Sequence, residues 1–236
     1  MSAVAHKPLV FIISAPSGSG KSTLVAKLLK LVPDLDFSIS YTTRAPRGSE
    51  QNEKQYYFVS GEKFKEMIAA DEFLEHANVF GNYYGTARRF LREAENRGHD
   101  LLLDIDVQGA AQIKGKLPNA ISIFILPPDR STLERRLRER GEDAEAVIQR
   151  RLVTASREIE QYDKYDYILV NDQLDQSIAR LEAIVSAERL LRSGTQPSGE
   201  GGKLLGIAEE CRLANSRQRV QPILGSFAPP LIPARR

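Results

Sequence analysis

The pattern of apolar and polar positions from residue 9 to residue 191 predicts strands and helices in alternation. Uninterrupted apolar runs, typical of buried parallel strands, occupy residues 9–14, 101–105, 121–126 and 167–170. Residues 37–41 alternate between apolar and polar side chains and predict a further strand. Apolar residues at helical spacing predict helices over residues 22–31, 61–70, 87–96, 130–140, 144–162 and 173–191.

This order of elements predicts an α/β fold, with a central parallel sheet and helices on both of its faces. Right-handed crossovers bring the carboxyl ends of the strands to one edge, where open α/β sheets bind their ligands. Two segments interrupt the alternation: residues 40–89 are rich in Arg, Tyr, Glu and Gly, and residues 130–155 are dense in arginine. We expect both segments to form small subdomains over the binding edge.

The composition changes after residue 192. Residues 194–202 are rich in glycine, which is typical of a linker, and residues 204–213 could form a short helix. The proline-rich end, residues 222–236, is expected to be disordered. We therefore predict one domain over residues 1–192, with a core of residues 8–39, 90–129 and 156–192, followed by a flexible extension over residues 193–236.

Composition and charge narrow the class of protein. The 236 residues suffice for one large α/β domain, and the net charge of +2 gives no reason to expect a nucleic acid partner. Cys211 is the only cysteine, so no internal disulfide forms, which fits a reducing compartment. No apolar run has the length of a signal-peptide core or a membrane helix, so we expect a cytoplasmic protein without a membrane partner. The oligomeric state is left open.

A glycine-rich segment carries the strongest chemical signal. Residues 15–23 read Ala-Pro-Ser-Gly-Ser-Gly-Lys-Ser-Thr, between a predicted strand and a predicted helix. Backbone N–H groups in such a loop form an anion nest, the helix adds its positive end, Lys21 adds a charge, and the Ser22 hydroxyl can join a magnesium shell. The alternative is an accidental match. Ala15 stands where the full pattern has glycine, and we expect ordinary strand-like geometry there.

Further charged residues have two interpretations each. Arg44 and Arg47 precede and follow Pro46 in an extended or turn segment, where they could clamp a phosphate or form an exposed basic loop. Asp104 and Asp106 lie two apart at the end of a predicted strand and face the same side, although Asp104 could instead bond the loop backbone. The three histidines, His6, His76 and His99, have no catalytic spacing.

Several ordered motifs together give a specific resemblance. They read SAPSGSGKST, SISYTTRAPR, YYFVS, FLEHANVFGNYYGT, LLLDIDVQGA, RLRERG, RRLVTASREI and YDYILVND. Over residues 9–191 the chain resembles the guanylate kinases, which move a phosphoryl group from ATP to GMP. The resemblance implies a three-layer P-loop NTPase fold, a GMP-binding subdomain over residues 40–89 and an arginine-rich lid over residues 130–155.

The resemblance also implies an acceptor site. The residues lining it would be Ser40, Arg44, Arg47, Tyr56, Glu75, Tyr84, Thr86 and Asp106. Arg44, Arg47 and the two tyrosine hydroxyls would hold the GMP phosphate. Glu75 would accept from the guanine N1–H and 2-amino groups, with Ser40 or Thr86 at the ring edge. From the residues alone, the favoured interpretation of Glu75 is a solvated charge beside Glu72.

On the donor side the resemblance implies that the loop binds ATP. The residues would be Ala15, Pro16, Ser17, Gly18, Ser19, Gly20, Lys21, Ser22, Thr23 and Asn171, although Asn171 could simply cap a loop. Catalysis would rest on Lys21, Arg44, Arg136, Arg140 and Arg151, with no general base because the GMP phosphate is already anionic. For the lid arginines the alternative is pairing with nearby acids, as we expect for Arg135, Arg138 and Arg150. Mg²⁺ would be held by Ser22 and Asp104, directly or through water.

The expected activity is therefore ATP + GMP = ADP + GDP, with dGMP as a further acceptor, in purine nucleotide metabolism and GMP recycling. Two alternatives stay open at this point: a non-catalytic interaction domain of the same fold, and a nucleoside monophosphate kinase with another base specificity. A GTPase is disfavoured because the chain has no Asn-Lys-x-Asp guanine-reading motif.

Overall fold

The structure is a computed structural model that describes residues 7–79, 81–139, 144–194 and 198–228. The chain forms two compact units. The first comprises the described residues up to Ser14 together with Val25–Ser122. The second comprises Ala15–Leu24 together with the described residues from Ile123 onward.

The first unit contains two sheets. Its strands are β1 (Val10–Ser14), β2 (Leu35–Ser38), β3 (Tyr41–Thr42), β4 (Tyr57–Phe58), β5 (Phe73–Val79), β6 (Asn82–Ala87) and β7 (Asp100–Asp104). Its helices are α2 (Gly61–Ala69), α3 (Arg88–Arg97) and α4 (Val107–Lys116), and α1 (Lys21–Leu31) crosses from the second unit at Leu24. Strands β2, β7 and β1 are parallel and adjacent in that order. Strands β4, β3, β6 and β5 form a separate mixed sheet, in which β6 is antiparallel to both of its neighbours.

An aromatic cluster packs α2 against the mixed sheet. The ring of Phe64 stacks on Phe73 at 4.5 Å and on Tyr83 at 5.4 Å between centroids. Gly85 leaves the space for these rings, because a Cβ atom there would lie 2.9 Å from the Phe73 ring. This packing fixes β5 and β6, the antiparallel pair that carries several of the sequence-predicted acceptor-site residues.

The second unit contains a parallel pair of strands and five helices within the described residues. The strands are β8 (Ile121–Leu126) and β9 (Tyr167–Val170), and the helices are α5 (Arg130–Glu139), α6 (Glu145–Ile159), α7 (Leu174–Ser193), α8 (Glu200–Cys211) and α9 (Leu213–Phe227). A short 3₁₀ turn, Tyr162–Lys164, leads into β9. In the part of the chain that the structure describes, no helix is long and apolar enough to cross a membrane.

The α/β class is confirmed, and the four long apolar runs all form parallel strands. The prediction for residues 37–41 was displaced, because β2 ends at Ser38 and β3 begins at Tyr41. Helix α4 was missed. Its two glycines lower helix propensity, and only Gly109, Ala110 and Ile113 of it are buried, so the apolar stripe is short.

The segment after residue 192 differs most from the prediction. Helix α8 overlaps the short helix expected over residues 204–213, whereas α9 occupies part of the end that was expected to be disordered. Residues 229–236 lie outside the described part. Glycines 201 and 202 lie within α8, and Pro222 lies inside α9. Tertiary packing outweighs their poor helix propensity, because Val220, Ile223 and Phe227 form a buried stripe at helical spacing.

Candidate functional site

The glycine-rich loop in the second unit has the geometry that anion binding needs. Gly18 and Gly20 have φ angles of 95° and 87°, a region that favours glycine, whereas Ala15 is not among the residues with positive φ. The Ser19 N–H donates to the Pro16 carbonyl at 3.1 Å, and helix α1 begins directly after Gly20, at Lys21. The loop therefore brings backbone N–H groups and a helix N-terminus to one place.

The outward carbonyl of Ser19 is held by two residues that the sequence analysis assigned to the donor side. Asn171, directly after β9, donates its Nδ2 to this oxygen at 2.7 Å. Arg136 on α5 donates Nη1 to it at 3.5 Å and Nη2 to the Asn171 carbonyl at 3.0 Å. In this structure Asn171 thus caps the loop, the simpler of its two interpretations. Burial lowers the pKa of the Arg136 guanidinium.

The other lid arginines fall into two groups. Arg151 lies half-buried on α6, whereas Arg140 lies outside the described residues together with Gly141. Arg135 and Arg138 pair with acids on their own helix, at 3.2 Å from Glu139 and 2.7 Å from Glu134. The prediction that these two arginines form surface pairs is confirmed.

In the first unit, Glu75 is a buried carboxylate that accepts a hydrogen bond from a neighbouring strand. Only 3% of Glu75 is exposed, and its Oε1 accepts a 2.7 Å hydrogen bond from the hydroxyl of Thr86, directly opposite on β6. Its Oε2 lies over Gly109, where a Cβ atom would come within 2.5 Å of it. Asp106 caps α4 beside it, accepting from the Gly109 N–H at 2.8 Å. Glu75 is therefore not the solvated charge that the residues alone favoured.

The surroundings of Glu75 favour its protonated, neutral form. Burial raises its pKa to about 7, the Thr86 hydrogen bond opposes that rise, and the negative charge of Asp106 adds to it. The carboxylate keeps acceptor capacity beyond its hydrogen bonds from Thr86. A ligand that offers two N–H donors would satisfy that capacity and stabilise the ionised form.

A cationic cluster lies on the same face of the mixed sheet. Tyr84 and Thr86 are two residues apart on β6, so their side chains share a face. The Arg44 guanidinium lies 5.3 Å from the Tyr56 ring centroid, and Tyr56 meets the Tyr84 ring edge-on at 5.9 Å. Burial opposes the charge of Arg44, but hydrogen bonds to Glu50 and Tyr84 outweigh it and raise the Arg44 pKa.

Four further residues were predicted from the sequence: Ser40 and Arg47 for the acceptor site, and Ser22 and Asp104 for the metal. Ser40 is buried between β2 and β3, and its carbonyl accepts from the Tyr57 N–H at 2.9 Å. Arg47 is exposed, with its N–H donating to Glu50 at 2.8 Å. Ser22 lies in the first turn of α1 and Asp104 at the end of β7, in different units. Within the described ranges, no group of three or more His, Cys, Asp or Glu could hold a metal ion.

Three residues of this site were missed by sequence reasoning. Glu50 pairs with Arg44 at 2.9 Å, and only its place three residues after Arg47 hinted at this. Gln112 on α4 bonds both the N–H and the carbonyl of His76, at 3.3 and 2.8 Å, and Lys116 donates to the Leu74 carbonyl. Gln112 and Lys116 therefore hold the backbone on both sides of Glu75. No sequence signal pointed to them, since their partners are main-chain atoms of another element.

Comparisons with known proteins agree with this geometry, which defines a P-loop nucleotide-binding protein of the α/β class. The family model "Guanylate kinase" matches residues 6–188. A guanylate kinase of Koribacter versatilis (strain Ellin345) is 61% identical over 92% of this chain and 95% of its own length. The guanylate kinase of Escherichia coli (strain K12) is 52% identical over 78% of this chain and 90% of its own length. The crystal structure of guanylate kinase from Anaplasma phagocytophilum has a TM-score of 0.67 at 35% identity, covering 78% and 88% of the two chains. The chain belongs to the guanylate kinase family.

The close approach of α4 to Glu75 gives a first prediction. Gly109→Ala would put a methyl group against the carboxylate, so we expect a loss of ~1–3 kcal/mol in the free energy of unfolding, measured by urea denaturation. Gly115→Ala, on the same helix with open space around it, is the matched control and should gain up to ~1 kcal/mol from helix propensity. Equal effects of the two substitutions would contradict the packing described for Glu75.

The raised pKa of Glu75 gives a second prediction. The folded protein binds this proton more tightly than the unfolded chain, so the contribution of Glu75 to stability is lost as the pH rises through about 7. Glu75→Gln removes the titration and should gain stability over the wild type between pH 5 and pH 8, by on the order of 3 kcal/mol. Chemical denaturation at several pH values measures this gain. Glu72→Gln, at an exposed position nearby, should follow the wild-type profile.

Proposed function

We propose that this protein transfers the terminal phosphoryl group of ATP to GMP, forming ADP and GDP, with dGMP as a further acceptor. The observation that carries the proposal is the buried carboxylate of Glu75, oriented by Thr86 on the same sheet face as Arg44 and Tyr84. A nucleotide needs a base reader and a phosphate clamp, and Glu75 and the cluster of Arg44 with Tyr84 would supply them.

Guanine is the base that this carboxylate would recognise. The ionised Glu75 accepts from the N1–H and 2-amino groups of guanine, whereas adenine has no such pair of donors. With AMP the buried carboxylate would stay unpaired, at a cost of ~1–3 kcal/mol for each missing partner. The Thr86 hydroxyl donates its hydrogen bond to Glu75, so the role of Thr86 is to orient the carboxylate. Asp106 and Ser40 complete the base side.

The acceptor phosphate would enter the arginine and tyrosine cluster. Arg44 presents a fork for bidentate binding, Arg47 is exposed and able to converge on it, and the hydroxyls of Tyr56 and Tyr84 can donate to phosphate oxygens. Glu50 pairs with Arg44 in this structure, so a dianionic phosphate would replace a single carboxylate charge in that contact. Because the attacking phosphate oxygen is already anionic, the residues only need to position it.

The glycine-rich loop would bind the ATP phosphates through its N–H groups, with Lys21 balancing their charge. Arg136 would turn from Ser19 toward the transferring group, joined by Arg140 and Arg151, to stabilise the charge that develops there. The hydroxyl of Ser22 and the carboxylate of Asp104 are hard oxygen donors of the kind Mg²⁺ prefers. These two residues would hold Mg²⁺ directly or through water, and its charge would partly neutralise the ATP phosphates. We place the reaction in the cytoplasm, a reducing compartment that suits a chain with a single buried cysteine.

Base recognition by Glu75 can be tested directly. In Glu75→Gln we expect the ratio of kcat/KM for GMP over AMP to fall by about 10- to 100-fold, since one good acceptor is lost from the guanine edge. A coupled assay with ATP as donor and GMP, AMP, dTMP and UMP as acceptors measures this ratio. The exposed Glu72→Gln is the control and should keep the wild-type ratio. If both variants discriminate equally well, Glu75 does not read the base.

The assignment of the phosphate loop has its own test. Lys21→Ala should lower kcat by ~100-fold or more, because a preorganised charge at the transferring group contributes several kcal/mol, while the melting temperature stays near that of the wild type. Lys27→Ala, an exposed lysine farther along α1, should keep full activity. Turnover near the wild-type value in Lys21→Ala would remove this loop from the mechanism.

A further inference from the structure

Helices α8 and α9 lie beyond residue 188, where the match to the guanylate kinase family model ends. They are nevertheless packed into the second unit. Ala208 and Cys211 of α8 are buried, as are Val220, Ile223 and Phe227 of α9. The two helices contact β9, and α9 also contacts α5. Since β9 leads to Asn171 and α5 carries Arg136, this extension touches both elements that hold the phosphate loop.

The connection between α8 and α9 bonds the backbone of β9. Arg212 forms an antiparallel bridge with Tyr167, and the Leu213 N–H donates to the Asp166 carbonyl at 3.0 Å. The Arg212 guanidinium lies 4.7 Å from the Tyr167 ring centroid and bonds Glu188 of α7 at 3.2 Å. The strand that ends just before Asn171 is therefore fixed by the extension as well as by β8.

The other contact is at the start of α5. The N–H of Arg130, the first residue of this helix, donates to the Ser226 Oγ of α9 at 3.0 Å, and the same hydroxyl donates to the Ile223 carbonyl at 2.7 Å. The first N–H groups of a helix have no partner within it. Asp129 supplies a local partner for Thr132, at 2.7 Å, but the partner of Arg130 comes from α9.

Helix α5 in turn lies directly against the loop. A Cβ atom on Gly18 would come within 2.9 Å of Leu133 and 3.0 Å of Leu137, so the loop backbone and these two side chains are in close contact. Between these two leucines on α5 lies Arg136, which donates to the Ser19 and Asn171 carbonyls. A shift of α5 by a few tenths of an ångström would therefore move the loop or break its bonds.

We infer that Ser226 is a positioning residue for the phosphate loop: by holding the first turn of α5, it keeps Leu133, Arg136 and Leu137 in contact with the loop. The C-terminal extension then belongs to the donor site, although none of its described residues is assigned a contact with nucleotide. This inference rests on the proposed function only in naming ATP as the ligand of the loop.

The test compares Ser226→Ala with two further variants. We expect the Kd and the KM for ATP to rise by about fivefold in Ser226→Ala, the factor that corresponds to one hydrogen bond, with kcat and the Kd for GMP unchanged. Ser226→Thr keeps the hydroxyl and should restore the ATP affinity. Ser193→Ala is the control: it removes an exposed hydroxyl at the end of α7 that donates to the Leu190 carbonyl of its own helix at 2.8 Å, so it should leave the ATP affinity unchanged.

A second pair of variants removes the donor instead of the acceptor. Arg130→Pro deletes the N–H at the first position of α5, where proline fits a helix, and Arg130→Ala keeps it. Arg130→Pro should weaken ATP binding as Ser226→Ala does, Arg130→Ala should weaken it less, and combining Arg130→Pro with Ser226→Ala should add nothing further.

The outcomes separate the two proposals. An unchanged Kd for ATP in Ser226→Ala, or an equal rise in Ser193→Ala, overturns the positioning role. A wild-type protein that binds ATP but forms no GDP from GMP contradicts the proposed function, and the Kd values of the variants still decide the inference. Titration calorimetry with ATP alone and with GMP alone, on the full chain, supplies these values.

Discussion

A loop that turns its N–H groups toward one point turns carbonyl oxygens away from it, and buried carbonyls need donors elsewhere. In this protein the fully buried Ser19 carries that requirement. The amide of Asn171 and the guanidinium of Arg136 meet it, and they come from the end of β9 and from the middle of α5. The need to satisfy one carbonyl thus fixes a strand, a helix and the loop relative to each other within the second unit.

The first unit is organised by the opposite problem, a carboxylate buried with too few donors. Removing Glu75 from water disfavours its charge, and within the described residues its direct partner is Thr86. Such a group would shift its backbone to reach water unless that backbone were held. Gln112 and Lys116 supply this restraint by bonding the peptide groups on both sides. The unfavourable burial therefore concerns the side-chain carboxylate alone, and a ligand that donates hydrogen bonds to it can offset that cost.

Parts of this arrangement were readable from the sequence, and others depend on contacts that leave no local pattern. Continuous apolar runs mark parallel strands because both faces of such a strand are buried, and the loop is recognisable because glycine, lysine and serine must follow in fixed order. The pairing of Glu75 with Thr86 depends on the register of an antiparallel pair with a bulge, which is set by tertiary packing. Helix α9 was misread because Pro222 is a breaker locally, whereas the stripe from Val220 to Phe227 gains more from burial than the proline loses.

The polar groups of both candidate sites have protein partners in this structure. Glu75 has Thr86, Arg44 has Glu50, and the Ser19 carbonyl has Arg136. A ligand therefore exchanges these contacts for its own, and only the difference appears as affinity. Under the proposed function, a nucleoside without phosphate would have nothing to exchange with Glu50, and a phosphate without guanine would leave Glu75 unchanged. Selectivity for a whole nucleotide would then follow from requiring both exchanges at once.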